Sequence, residues 1–140
     1  MGNRAVIGIK DNDIKKENTP CIYLHWNGGR DSVEGFLEAH HKLGMRGAED
    51  KPYALARLTQ IIANAMGGEL SIGVGIYSQL DTDNYDNGVY WLDNVDGKLQ
   101  IVEREYEPNH TQEQQNYDLE EFSNSCIETM PESYQSTKRA

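Results

Sequence analysis

The chain has 140 residues, the size of one domain, and a formal net charge of −10. Residues 1–80 carry nine Lys/Arg and nine Asp/Glu, and residues 81–140 carry four and fourteen, so the whole excess lies in the second part. A field of that sign opposes nucleic-acid backbones and anionic membranes, which argues against DNA and membrane partners, although a local arginine can still hold a small anion.

Ala5-Val-Ile-Gly-Ile9 is a short β-branched run that predicts a strand. Residues 10–20 are polar, mixed in charge and without periodicity, which predicts a loop or mobile insertion. Cys21-Ile-Tyr-Leu-His-Trp26 predicts a second strand, ended by Asn27-Gly28-Gly29. Asp31 stands three residues before Glu34, as in a capping box, and Val33, Phe36, Leu37, His40 and Leu43 follow at helical spacing up to Gly44. A second helix is predicted from Pro52, with Leu55, Leu58, Ile61, Ile62 and Ala65 on one stripe, until Gly67-Gly68.

Leu70-Ser-Ile-Gly-Val-Gly-Ile-Tyr77 alternates apolar with small residues, so one face of this strand is core and the other is bare backbone open to close approach. After a polar loop, residues 89–92 and 99–106 form a hairpin around Asp96-Gly97, the strongest short turn signal in the chain. Residues 116–130 carry Leu119, Phe122, Cys126, Ile127 and Met130 on a third helical stripe with an acidic outer face, and Pro131 ends it. The expectation is one α+β domain over residues 1–130, a mixed or antiparallel sheet of about five strands packed with two to three helices, and a disordered tail over 131–140. Cys21 and Cys126 are isolated thiols, neither a disulfide framework nor paired zinc spacing, and read as buried hydrophobes. The apolar run after Met1 is far shorter than a signal sequence or a span, so a cytoplasmic protein is expected.

The loop Asp81-Thr-Asp-Asn-Tyr-Asp-Asn-Gly88 is the most unusual segment. It fails as a calcium loop, because Asp86 stands where glycine is needed and Leu92 where the closing glutamate belongs. As a plain turn it is ordinary, since Asp, Asn and Gly favour Asx turns and left-handed backbone. As a ligand loop, carboxylates such as Asp83 and amides would meet ribose hydroxyls while an arginine meets phosphate. If the three flanking strands are neighbours, Tyr77, Asn87 and Arg104 converge on one sheet edge and offer stacking, an amide and a guanidinium. The Gly28-Gly29 turn before a helix could expose donors to an anion, but Asp31 would repel it and no P-loop lysine is present, which favours a structural turn. His40-His41 diverge by about 100° on a helix and do not chelate one ion. No nucleophile motif accompanies His25, so the reading calls for a binding protein with no catalytic residue, no metal and no cofactor.

Three blocks together, Gly2-Asn-Arg-Ala-Val-Ile7, Tyr23-Leu-His-Trp-Asn-Gly-Gly-Arg-Asp-Ser-Val-Glu34 and Leu80-Asp-Thr-Asp-Asn-Tyr-Asp-Asn-Gly88, resemble the first type of Thoeris anti-defence protein, over roughly residues 1–130. The resemblance implies a phage or mobile-element protein that sequesters cyclic ADP-ribose signals of bacterial TIR immunity without cleaving them, in the cytoplasm of the infected host. Some members also hold cyclic oligonucleotides, and the family assembles as homodimers and higher homo-oligomers. Its ligand-contacting aromatic, asparagine and arginine fall on Tyr77, Asn87 and Arg104, with Tyr in place of Phe. A site for cyclic trinucleotides falls on Arg57 and Thr82. Residues 10–20 are longer than the family pattern, and its C-terminal arginine has no counterpart except Arg139. The alternative from composition is an acidic mimic that blocks a nucleic-acid-binding defence nuclease.

Overall fold

The computed structural model describes residues 3–44, 49–66, 72–105 and 118–131. Five strands, β1 (Ala5–Ile9), β2 (Pro20–Leu24), β3 (Ile72–Ile76), β4 (Val89–Val95) and β5 (Lys98–Glu105), form one sheet in the order β3-β2-β1-β4-β5. β1 runs parallel to β4 and every other neighbour is antiparallel, so the sheet is mixed. With helices α1 (Arg30–Lys42), α2 (Lys51–Ala65) and α3 (Leu119–Glu128), the fold is α+β.

The apolar run at the N-terminus becomes the central strand, and all five residues of β1 are buried because both faces of the sheet are covered there. Ala5, Ile7, Ile22, Leu24, Tyr90 and Leu92 face the three helices and build the main core with Phe36, Leu58, Ile61, Ile62 and Ile127. A smaller cluster of Val6, Cys21, Val89 and Trp91 occupies the opposite face under Tyr77 and Leu80. The connection from β3 to β4 therefore crosses the face that carries no helix. Leu80 is what approaches the bare backbone of β3, since a Cβ on Gly75 would meet its Cδ2 at 3.2 Å. α1 and α3 come close at Gly35, where a Cβ would stand 2.1 Å from the Phe122 ring.

The helical stripes and the hairpin lie where the spacing predicts them. Asp96 and Gly97 both adopt positive φ, 52° and 79°, as a turn matched to strand twist requires. The start of α1 differs from expectation: its N-cap is Gly29, and Asp31 sits inside the first turn accepting from the Ser32 amide at 2.8 Å. A true side-chain cap occurs at α3, where Asp118 Oδ1 accepts from the Glu121 amide at 3.0 Å. Residues 10–20 contain a 3-10 turn over Lys16–Asn18, and Thr19 is buried. Both thiols are buried, and burial pushes each up to about 12, the behaviour of inert hydrophobes. Gly67-Gly68, residues 116–117 and the tail from 132 onward lie outside the described residues. Among the described residues no helix is long and apolar enough to cross a membrane.

Candidate site at one end of the sheet

Antiparallel and parallel register bring the end of β2, the start of β1, the start of β4 and the end of β5 to the same end of the sheet. The loop at residues 81–88 and the turn at residues 25–29 both land there.

The loop is built from within. Asn84, buried, donates from Nδ2 to the carbonyls of Asp81 (3.0 Å) and Gly88 (3.2 Å), and its Oδ1 accepts from the amides of Asp86 and Gly88, both at 3.1 Å. Asp86 Oδ2, also buried, accepts from Arg4 Nε at 2.7 Å and from the Arg4 amide at 3.0 Å. Asn87 donates from Nδ2 to Asn3 Oδ1 (2.5 Å) and to the Arg4 carbonyl (3.1 Å), while its amide donates to the same carbonyl at 3.0 Å. The loop thus closes on the N-terminal segment through two of its polar side chains, Asp86 and Asn87, while Asn84 holds the loop's own shape. Asp81, Asp83 and Tyr85 remain exposed, with Thr82 half-buried. Tyr85 is held at φ 61°, an uncommon backbone for a bulky residue.

Asp86→Ala is expected to lower folding stability by about 2 kcal/mol, because it removes two hydrogen bonds to a charged acceptor and leaves an arginine that solvent still reaches. Urea unfolding measures this directly, and a loss below about 0.5 kcal/mol would show that the closure carries little stability.

Asn87 and Arg104 meet. Arg104 Nη2 donates to the Asn87 carbonyl (3.2 Å), to Asn87 Oδ1 (3.5 Å) and to the Tyr90 hydroxyl (2.9 Å), with its guanidinium carbon 4.4 Å from the Tyr90 ring centre. The Tyr90 hydroxyl in turn donates to the Gly28 carbonyl at 2.8 Å, one residue before the α1 N-cap. A fixed, half-buried guanidinium therefore stands beside the start of a helix; the guanidinium favours an anion, and Asp31 in the first turn of that helix opposes one on the helix axis.

Tyr77 is not part of this arrangement. Successive strand residues point to opposite faces, so Arg104 lies on the helix side and Glu105 on the other. Tyr77 donates its hydroxyl to Glu105, stacks on Trp91 with ring centres 5.8 Å apart, and lies under the Lys16 ammonium. Convergence of Tyr77, Asn87 and Arg104 on one edge is thus replaced by two separate clusters. Burial pushes Glu105 up, but hydrogen bonds from Lys16, Tyr77 and Trp91 outweigh it and hold the carboxyl below its ordinary range. A cleft of about 300 Å³ adjoins this cluster, lined by Lys10, Lys16, Trp91, Glu103 and Glu105 among others. Arg57 lies on α2 with its guanidinium carbon 5.9 Å from the Tyr53 ring centre, whereas Thr82 lies in the connection between β3 and β4.

Sequence reasoning passed over Trp26, 43% exposed at the same end of the sheet as Arg104, edge-on to His25 at 5.2 Å. Its apolar neighbourhood in sequence reads as strand, and only the chain's turn at Asn27, φ 57°, puts the indole outside. Trp26 and the exposed Tyr85 supply planar surfaces on which a base can stack. Among the described residues, no group of His, Cys, Asp and Glu side chains is arranged to hold a metal ion. The chain matches no family model, no curated protein and no solved structure.

Proposed function

We propose that the protein binds a cyclic ADP-ribose type nucleotide and sequesters it without breaking a bond, suppressing TIR-based immunity in the cytoplasm of an infected bacterium. The observation that carries this reading is the Arg104 guanidinium, tied to Asn87 and Tyr90 beside the start of α1. A guanidinium fixed in this way suits a phosphate group as a preorganised positive charge. Exposed Trp26 or Tyr85 supplies the stacking partner for the base, while Asp83 and the rim of the 81–88 loop meet ribose hydroxyls. Asn87 acts here as a positioning residue, since its own side chain is committed to Asn3 and Arg4. A cyclic oligonucleotide would use Arg57 and Thr82 as a separate site, and the protein works as a homo-oligomer.

The test is retention and release. Cyclic ADP-ribose isomers mixed with the protein should leave the filtrate and return chemically intact after heat denaturation. Free ligand in the filtrate at equal concentrations, or a hydrolysed product after heating, sinks the reading.

One observation favours a second reading. The outer face of α3 exposes Asp118, Glu120, Glu121 and Glu128, an acidic strip that could mimic a nucleic-acid backbone for a defence nuclease. Reversing these charges should abolish salt-sensitive inhibition of such an enzyme, whereas nucleotide sequestration should survive the change.

A further inference from the structure

The two edges of the sheet are unlike. β5 carries Lys98, Glu103, Arg104 and Glu105, and its pairing with β4 is interrupted by a register shift at Trp91/Leu92. Charges and irregularity of that kind keep an edge strand from pairing with other chains. β3, Ile72-Gly-Val-Gly-Ile76, has no charge, no proline and no register shift, and Val74 is 63% exposed. Among the described residues no strand pairs with its outer side.

The register shows which backbone groups that outer side offers. The Tyr77 amide donates to the Thr19 carbonyl at 2.9 Å, and the pairs Pro20↔Ile76, Cys21↔Gly75, Ile22↔Val74, Tyr23↔Gly73 and Leu24↔Ile72 follow. In an antiparallel ladder, bonded and non-bonded pairs alternate. Residues 73, 75 and 77 therefore bond to β2, and Ile72, Val74 and Ile76 turn their N–H and C=O groups outward. Pro20, which has no N–H, falls in a non-bonded pair as this phase requires.

The strand is also a palindrome centred on Val74. An antiparallel copy placed about a two-fold axis at Val74 sets Ile72 against Ile76 of the other copy, glycine against glycine, and Val74 against Val74 in a bonded pair. Every outward donor then meets an acceptor, and the contact is isologous, the form a closed dimer needs. We infer that the β3 edge is a self-association surface, on which a second copy of this chain pairs antiparallel about Val74 and joins two five-stranded sheets into one.

The surroundings of the edge agree. Val74 and Pro20 form one wall of an apolar cleft of about 520 Å³ whose other wall is Leu55 and Ala56 of α2. A two-fold at Val74 brings two such clefts together on the helix-bearing face, where each Val74 side chain loses the solvent it now meets. The inference is independent of what the Arg104 end of the sheet binds, because β3 and β5 are opposite edges.

Sedimentation equilibrium should give the mass of two chains for the wild-type protein. Val74→Lys places two ammonium groups face to face at the axis and should weaken the dimer by about 100-fold or more. Val74→Pro removes an N–H that β2 does not use and should give a folded monomer by circular dichroism and mass. Val74→Cys sets two thiols on Cα atoms roughly 5.5 Å apart, within disulfide reach, and should oxidise to a covalent dimer, whereas Val102→Cys on the β5 edge should not. A wild-type monomer at high micromolar concentration would overturn the inference and leave the edge to a strand of another protein or another segment of this chain. A dimer that persists in both Val74→Lys and Val74→Pro, or Val74→Cys chains that never cross-link, would overturn it equally.

Discussion

Arg104→Ala is expected to weaken binding of cyclic ADP-ribose by about 100-fold or more, with the fold intact. Truncating one partner of a hydrogen-bonded, partly desolvated charge pair costs about 2 to 5 kcal/mol, and the lower half of that range already gives two decades. Here the guanidinium is stacked on Tyr90 and anchored through Nη2, so it enters the complex without losing much rotamer freedom. Folding should change little, because the Tyr90 hydroxyl keeps its bond to the Gly28 carbonyl and Asn87 keeps Asn3 and Arg4. Arg104→Lys keeps the charge but loses the planar fork, and should fall between wild type and Ala. Isothermal titration calorimetry separates these cases. Binding within threefold of wild type in both variants would remove Arg104 from the site, while loss of binding with loss of thermal stability would make its role structural. Arg57→Ala, remote on α2, should leave cyclic ADP-ribose binding unchanged.

The elements themselves were legible because their signals are local. Apolar residues at helical spacing marked α1, α2 and α3, and Asp96-Gly97 marked the β4–β5 turn through its own backbone preference. The site was only half legible. Asn87 and Arg104 come together because β4 and β5 are hairpin neighbours, a relation the turn already implies. Tyr77 is separated from them by the parity of β5 and by the face that the β3–β4 connection crosses. Neither follows from composition, since moving one residue along a strand reverses the face. The loop at 81–88 looked available for ligand because it is polar, yet Asn84 is buried within the loop, and Asp86 and Asn87 are buried against Arg4 and Asn3, more than 80 positions away. Long-range closure leaves no local trace. The same holds for the sheet order, which sends β1 between β2 and β4 and makes β3 an edge.

Among the described residues, His40 supplies the largest expected dependence on pH between about pH 4 and 7. It is buried on α1, its Nε2 has no hydrogen-bond partner among the described residues, and burial, helped by the neighbouring His41, pulls it down from 6.5 to about 4. A histidine whose folded value is depressed is held neutral by the fold, and the unfolded chain takes up the proton first. Its contribution is therefore fully present above pH 6.5 and is lost as pH falls toward 4. Linkage over that interval gives a loss of about 2 kcal/mol by pH 5 and about 3 kcal/mol by pH 4. Carboxylates held low, such as Glu38 beside Lys98, begin to lose their contribution only at the acid end of this window, where the unfolded carboxylate takes up its proton, and the easing of a −10 charge acts in the opposite direction. Comparison with His40→Leu isolates the group, because both backgrounds share every other titration. The variant removes an unpaired buried nitrogen at similar volume, so it should match or exceed wild-type stability at pH 7 and exceed it by a further 2 kcal/mol or so at pH 5. Equal pH slopes in the two proteins, measured by urea unfolding at pH 7, 6 and 5, would place the His40 proton on the folded state and refute the assignment.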